Sequence, residues 1–149
     1  MNRDKLVDLY KKYELEKEDV FKHQHYVIIT RQGIERIAAK ENITINYEVI
    51  RCEPKFAVMK ATAYITTKPN AMIETFGSAL KGDNYKDGNC NSWYVAEMAE
   101  KRALSRAVLK LTGFYELGVF GEDESENFKK KINEKYKRKN ISFKVIRKR

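Results

Sequence analysis

The chain has 149 residues, 42% of them hydrophobic and 34% charged, with a formal net charge of +9; that length fits one domain with its own core, followed by a tail. No apolar run reaches membrane-spanning length, and the opening MNRDKLVDLYKKYELEKEDV lacks the apolar stretch of a secretory signal, so membrane and secreted classes do not fit. Cys52 and Cys90 have no metal-ligand spacing, and two isolated thiols suit a reducing compartment, so a cytoplasmic location is expected.

Leu6, Val7, Leu9, Tyr10 and Tyr13 recur at helical spacing, which predicts an amphipathic helix over residues 3–13, with a second short charged helix after it. HYVIIT (25–30) is rich in β-formers, and Thr30 is placed to cap the next helix, RQGIERIAAKEN, whose Ile34, Ile37 and Ala38 form a buried stripe ending at Asn42. Three strands follow, TINYEVIRC (44–52), FAVMKATAYITT (56–67) and AMIETFGSA (71–79), separated by the turns Glu53-Pro54-Lys55 and Lys68-Pro69-Asn70. Both prolines fall in these gaps, where a missing N–H costs no ladder bond, so an antiparallel meander is the economical arrangement.

Residues 80–91 form a loop rich in glycine and asparagine, and Asn91 or Ser92 caps a long helix that begins at Trp93 and closes at Gly113. Trp93, Ala96, Ala103, Leu104, Ala107 and Leu111 gather on one side of it and are expected to lie on the small residues Ala57, Met59, Ala61, Ala63 and Ile65 of the middle strand. The other side carries Arg102, Arg106 and Lys110 at a spacing of four, with Val95, Met98 and Leu109 between them. Like charges so placed repel by a few tenths of a kcal/mol per pair. Either solvent and acids elsewhere in the domain compensate them or a partner does, and the interleaved apolar residues favour a groove or subunit contact.

The other face of the meander carries Phe56, Val58, Lys60, Thr62 and Tyr64, joined by Ile45, Tyr47, Val49 and Arg51 if the hairpin loop is even. Rings interleaved with cations suit a single strand, since bases stack on rings and phosphates pair with Lys and Arg. Phe56, Val58 and Val49 are expected instead to form a second core face under the helix of residues 31–42, which leaves Lys60 and Arg51 as binding candidates.

After residue 120 the acidic GEDESEN (121–127) reads as a solvated hinge, or a decoy for the basic tail. Residues 129–149 hold eleven cations against Glu134, so this tail carries +10 and residues 1–128 carry −1. A helix over 128–139 and a strand at ISFKVI are compatible with the pattern. The expected organisation is an α+β domain over 1–120, an antiparallel three- to four-stranded meander packed against a long C-terminal helix with flanking N-terminal helices, and a hinge and tail over 121–149.

The order helix, strand, helix, three-stranded meander, long helix, together with IETFGSA (73–79) and EKRALSRAVLKLTGF (100–114), resembles the single-strand annealing superfamily that includes Erf, DdrA, the phage Sak proteins and the Rad fifty-two family. The resemblance covers residues 20–118 and rests on short, degenerate motifs. It implies single-stranded DNA held in a groove around a ring or filament of subunits, and annealing of complementary strands in recombination or repair, without nucleotide hydrolysis or a cofactor. The family's groove-lining basic positions fall on Arg106 and Lys110, with Arg102 one turn back, and a second basic position upstream of the first strand has loose counterparts in Lys17 and Lys22. Family tails recruit a single-strand-binding protein or a recombinase; this tail is basic, which points to nucleic acid.

Two other readings stand beside it. The α-β-β-β-α order is also that of double-stranded RNA-binding domains. A metal-dependent nuclease would use Glu97 and Glu100 with His23 or His25, although no third metal ligand accompanies the histidines, and Glu97 with Lys101 and Glu100 with Arg36 are the simpler pairings. GSALKGDNYKDG lacks phosphate-loop order and GEDESEN lacks calcium-loop spacing.

Overall fold

A computed structural model describes residues 2–84 and 86–124. Helix α1 spans Arg3–Lys12: the Asn2 side chain accepts the Lys5 amide, Asp4 sits in the first turn, and Lys11 and Lys12 sit in the last, each at the end its charge favours. A 3-10 turn, Lys17–Asp19, and a hairpin of β1 (Val20–His23) and β2 (Tyr26–Ile29) follow. The second charged helix expected here is therefore a single turn and then a strand. Gln24 makes the tight hairpin turn possible by taking a φ of 58°. Helix α2 (Arg31–Lys40) starts on the Thr30 cap, as expected, and the chain turns at Asn42 with a φ of 53°.

The meander consists of β3 (Ile43–Cys52), β4 (Phe56–Ile65) and β5 (Lys68–Leu80), antiparallel in that order with β4 in the centre. Its second turn is Thr66-Thr67 and not Lys68-Pro69-Asn70, so Pro69 lies inside β5. That position is tolerated because β5 is an edge strand, where an absent N–H need leave no ladder bond unmade. A bulge between Val49 and Arg51 changes which side of β3 faces where: Tyr47 pairs with Ala61 and Val49 with Met59, whereas Arg51 pairs with Val58. Residues directly opposite share a face, so Ile45, Tyr47 and Val49 fall on the helix side, contrary to expectation, and Arg51 falls on the other.

Helix α3 (Val95–Thr112) ends on Gly113 in the left-handed conformation, as expected, and a short strand β6 (Val119–Gly121) returns to lie parallel to β2. The helix is central. On one side Ala99, Ala103 and Val95 meet the small residues of β4 and β5; on the other Val108 and Leu109 join Val27, Ile29, Ile34, Ile37, Phe114 and Val119 in the larger core. A helix buried on two sides needs apolar residues around most of its circumference, and the 18 residues of α3 meet that demand. Trp93, expected on the sheet, precedes the helix and is 68% exposed. Helix α2 packs on α3 and on edge strand β3, so it does not roof the far side of the sheet.

The acidic segment after residue 120 is not a solvated hinge over its first residues. Asp123 and Glu124 are 5% and 8% exposed, and the Arg31 guanidinium donates to Asp123 at 2.8 Å. The folded unit thus continues through residue 124. The expected helix over 128–139, the ISFKVI strand and the basic tail lie outside the described residues.

Tyr13 links this core to pH. Its ring is 1% exposed beside Phe114, and its hydroxyl donates to Glu41 at 3.2 Å. Burial, then the charge of Glu41 and the hydrogen bond to it, push the hydroxyl up to about 12 from 10. The folded state holds this proton more tightly than the unfolded chain, so its contribution is complete below pH 10 and disappears as the pH rises towards 12. The expected loss is on the order of 3 kcal/mol. Tyr13→Phe should flatten urea-measured stability across that alkaline window, and an unchanged slope would refute the assignment.

Candidate nucleic-acid interface

The cation row of the long helix divides into three different environments. Arg102 is 2% exposed and donates to the carbonyls of Ser78 and Asn89 at 2.7 Å each and of Asp123 at 3.4 Å. It ties β5, the loop after it and the segment after β6 to the helix. The expected role of Arg102 on a strand of DNA is corrected accordingly: a buried guanidinium with carbonyl partners on three segments is a structural clamp. Arg106 is ion-paired with Glu124 and donates to the Phe76 carbonyl at 2.9 Å. Lys110 alone of the three is exposed, with its ammonium 5.0 Å from the centre of the Tyr115 ring. Identical charges at a spacing of four become a clamp, a bridge and a surface cation because α3 is buried on more than one side.

The far face of the meander is different. Pairing places Phe56, Val58, Lys60, Thr62 and Tyr64 of β4 beside Leu80, Ser78, Phe76 and Glu74 of β5 and beside Arg51, Glu48, Asn46 and Thr44 of β3. All of these are half-buried or exposed, and among the described residues no helix packs across them. Phe56 and Val58, expected as core under the second helix, thus belong to an open surface, while Val49 is on the other side and 59% exposed. Phe76 is 51% exposed and lies opposite Lys60, the midpoint of β4. At about 3.4 Å per residue the rings of Phe56 and Tyr64 are separated by roughly 27 Å along the strand, with Lys60 and Phe76 about halfway.

The cations of this face are locally balanced. Lys60 lies 3.2 Å from Glu74, and Arg51 lies 2.7 Å from Glu53 with its guanidinium carbon 5.7 Å from the Phe56 ring centre. Both expected candidates are therefore surface residues beside rings, in weak, solvent-screened pairs. The surface offers apolar and aromatic contact without a strong positive field.

Lys22 is exposed on β1, across the molecule from this face, and lines a groove with Arg3 and four apolar or aromatic residues. Lys17 sits in the 3-10 turn before the same strand. The structure therefore does not gather Lys22 with Lys60 and Arg51 into one site. His23 ends β1 and His25 occupies the hairpin turn, and no group of three His, Cys, Asp or Glu side chains arranged for a metal occurs among the described residues. Glu97 and Glu100 are exposed near the start of α3; Arg36, the expected partner of Glu100, is bound by Asp19 at 2.8 Å, and Glu100 raises the Tyr47 hydroxyl instead, second to burial. Sequence reasoning reached the β4 residues of this face but not Phe76 beside them, nor that the face is open. Its alternating pattern was visible, but whether a helix covered it depended on where α2 packs. No protein-family model, curated protein or solved structure matches the chain.

Proposed function

We propose that this protein binds single-stranded DNA and anneals complementary strands as a homo-oligomer, with the open face of the meander as its base-contacting surface and the basic tail as its phosphate-contacting one. The observation that carries the reading is the uncovered sheet with Phe56, Phe76 and Tyr64 spaced along it and Lys60 and Arg51 between them. Stacking on such rings tolerates any sequence because every base has a π-face. It also leaves the hydrogen-bonding edges of the bases unengaged, which is what a second strand needs. Residues 129–149, at +10, supply the counterion-release term that the near-neutral body lacks. The order of helices, meander and long helix is the one the single-strand annealing resemblance implies, except that a hairpin stands where one strand was expected, and it favours the same reading. The mechanism asks for no acid, base or metal: the first strand is held extended, and the second pays less ordering entropy and less charge repulsion on pairing.

Double-stranded RNA recognition fits less well. That mode uses a helix start and loops across a minor groove, and here the start of α2 is occupied: the Arg31 amide donates to Glu122 and its guanidinium to Asp123. A phosphate would meet carboxylates there.

The test is fluorescence anisotropy with an oligothymidylate at several salt concentrations, paired with an annealing assay free of ATP and metal. Replacing both Phe56 and Phe76 by Ala should weaken binding about 30-fold or more, from roughly 1–3 kcal/mol for each of two stacked bases, without altering the salt slope. Truncation after Glu126 should do the reverse, flattening the slope. If the double variant binds and anneals like the parent, the sheet is not the surface; if light scattering finds only monomers, the annealing reading fails.

A further inference from the structure

The groove at the opposite end of the molecule has its own chemistry. It lies between α1 and the β1–β2 hairpin, encloses about 380 Å³, and is lined by Arg3, Leu6, Val7, Tyr10, Lys22 and Val27. At roughly 100° per residue, Leu6, Tyr10, Arg3 and Val7 fall within a single arc of α1 of about 100°, and Asp4 and Asp8 fall outside it. Its floor is part of the core: Leu6 and Val27 are 5% and 2% exposed, and Tyr10 is braced from below by stacking on Phe114 at 6.3 Å. Val7, by contrast, is 40% exposed although it lines the groove. Arg3 and Lys22, one on each wall, are exposed, and neither makes an ion pair among the described residues.

We infer that this groove is a docking site for an acidic peptide segment of a partner protein, one that inserts a single large apolar side chain between flanking carboxylates. The volume lies at the small end of the range for preformed binding pockets, enough for one such side chain and not for a packed helix. The floor is chiefly aliphatic, and Tyr10, the one ring among its described residues, has a face already occupied by Phe114, so a base would find little to stack on. The cations on opposite walls, with no acid among the described residues of the lining, select negative charge on both sides of the anchor. The chain's own tail, at +10, is excluded by its sign.

The test uses the full chain and two labelled nine-residue Asp/Glu peptides, one with a central Phe and one with Ala in its place. The basic tail attracts both equally, so the Phe-over-Ala preference isolates the groove. Burial of the Phe ring should make that preference about tenfold or more. Val7→Glu, at a partly exposed position, should abolish it, as should Lys22→Glu on the exposed side of β1, while oligothymidylate affinity of the Val7 variant stays within about twofold. Equal binding of the two peptides would overturn the proposal, as would a preference that survives both substitutions. Competition by oligothymidylate that is lost in Val7→Glu would reassign the groove to nucleic acid, and a change in subunit number with Val7→Glu would reassign it to a second copy; either result removes the peptide. Neither peptide outcome depends on the annealing assay, so the two proposals stand or fall separately.

Discussion

Gly77→Ala is expected to be the most damaging single methyl group that can be added to this protein. A Cβ built on Gly77 would stand 2.0 Å from the Ala99 carbonyl oxygen and 2.5 Å from the Ala103 amide nitrogen. Both are backbone atoms in the middle of α3, so no rotamer change relieves the contact, and the helix must lift from β5 as a body. Lifting it separates Ala99 and Ala103 from the sheet and breaks the bond from the buried Thr75 hydroxyl to the Ala103 carbonyl, 2.7 Å long. The core here is built of alanines, with few long side chains to fill a gap, so the lost contacts are not recovered elsewhere. Overpacking alone costs about 1–3 kcal/mol, and with the broken bond and the void the total should reach on the order of 4 kcal/mol, a large fraction of the roughly 5–15 kcal/mol that stabilises a domain. Urea denaturation measures it, with Ser78→Ala as the control: that side chain is exposed on the opposite face and its loss should change stability by no more than about 0.5 kcal/mol. Equal midpoints for the two variants would mean that α3 does not lie this close to β5.

The same close approach shows what could be read from the sequence and what could not. Alternation of small residues on the middle strand and alanines at helical spacing predicted a flat helix against a meander, and α3 does lie against β4 and β5. Thr30, Asn42 and Gly113 marked element ends correctly because a cap or a left-handed residue is a local requirement. The failures are non-local. Simple alternation places Val49 and Arg51 on one face, and a single bulge puts them on opposite faces. The β1–β2 hairpin was hidden because its turn is Gln24-His25, without the glycine or asparagine that announces such turns. The cations of α3 are expected on the face opposite the sheet, but Arg102 and Arg106 reach the β5 carbonyls of Ser78 and Phe76, so the row runs along the sheet's edge, and only three-dimensional placement decides which charge meets a carbonyl, a carboxylate or solvent.

Arg102 follows from that last point, and its removal should cost nearly as much as the methyl on Gly77. Truncation to Ala would leave the buried Asp123 carbonyl and the part-buried carbonyls of Ser78 and Asn89 without their donor, at up to about 1–3 kcal/mol for a fully unsatisfied group. It would also empty the space between β5, the loop of residues 81–92 and the acidic segment, so an overall loss on the order of 3–5 kcal/mol is expected by thermal or urea unfolding. Lysine should not rescue it, because a single ammonium cannot reach three carbonyls set around a planar fork. The functional consequence separates the two possible roles of this cation. As a phosphate ligand, Arg102 would lower DNA affinity and the salt slope in a stably folded variant; as the clamp seen here, its loss should lower the unfolding midpoint, while any remaining folded protein binds oligothymidylate with an unchanged salt slope. A folded, equally stable Arg102→Ala protein with a reduced slope would restore the guanidinium to the DNA and undo the structural assignment. Lys110 gives the complementary case: it is exposed at the end of α3, so its replacement by Ala should leave the unfolding midpoint unmoved.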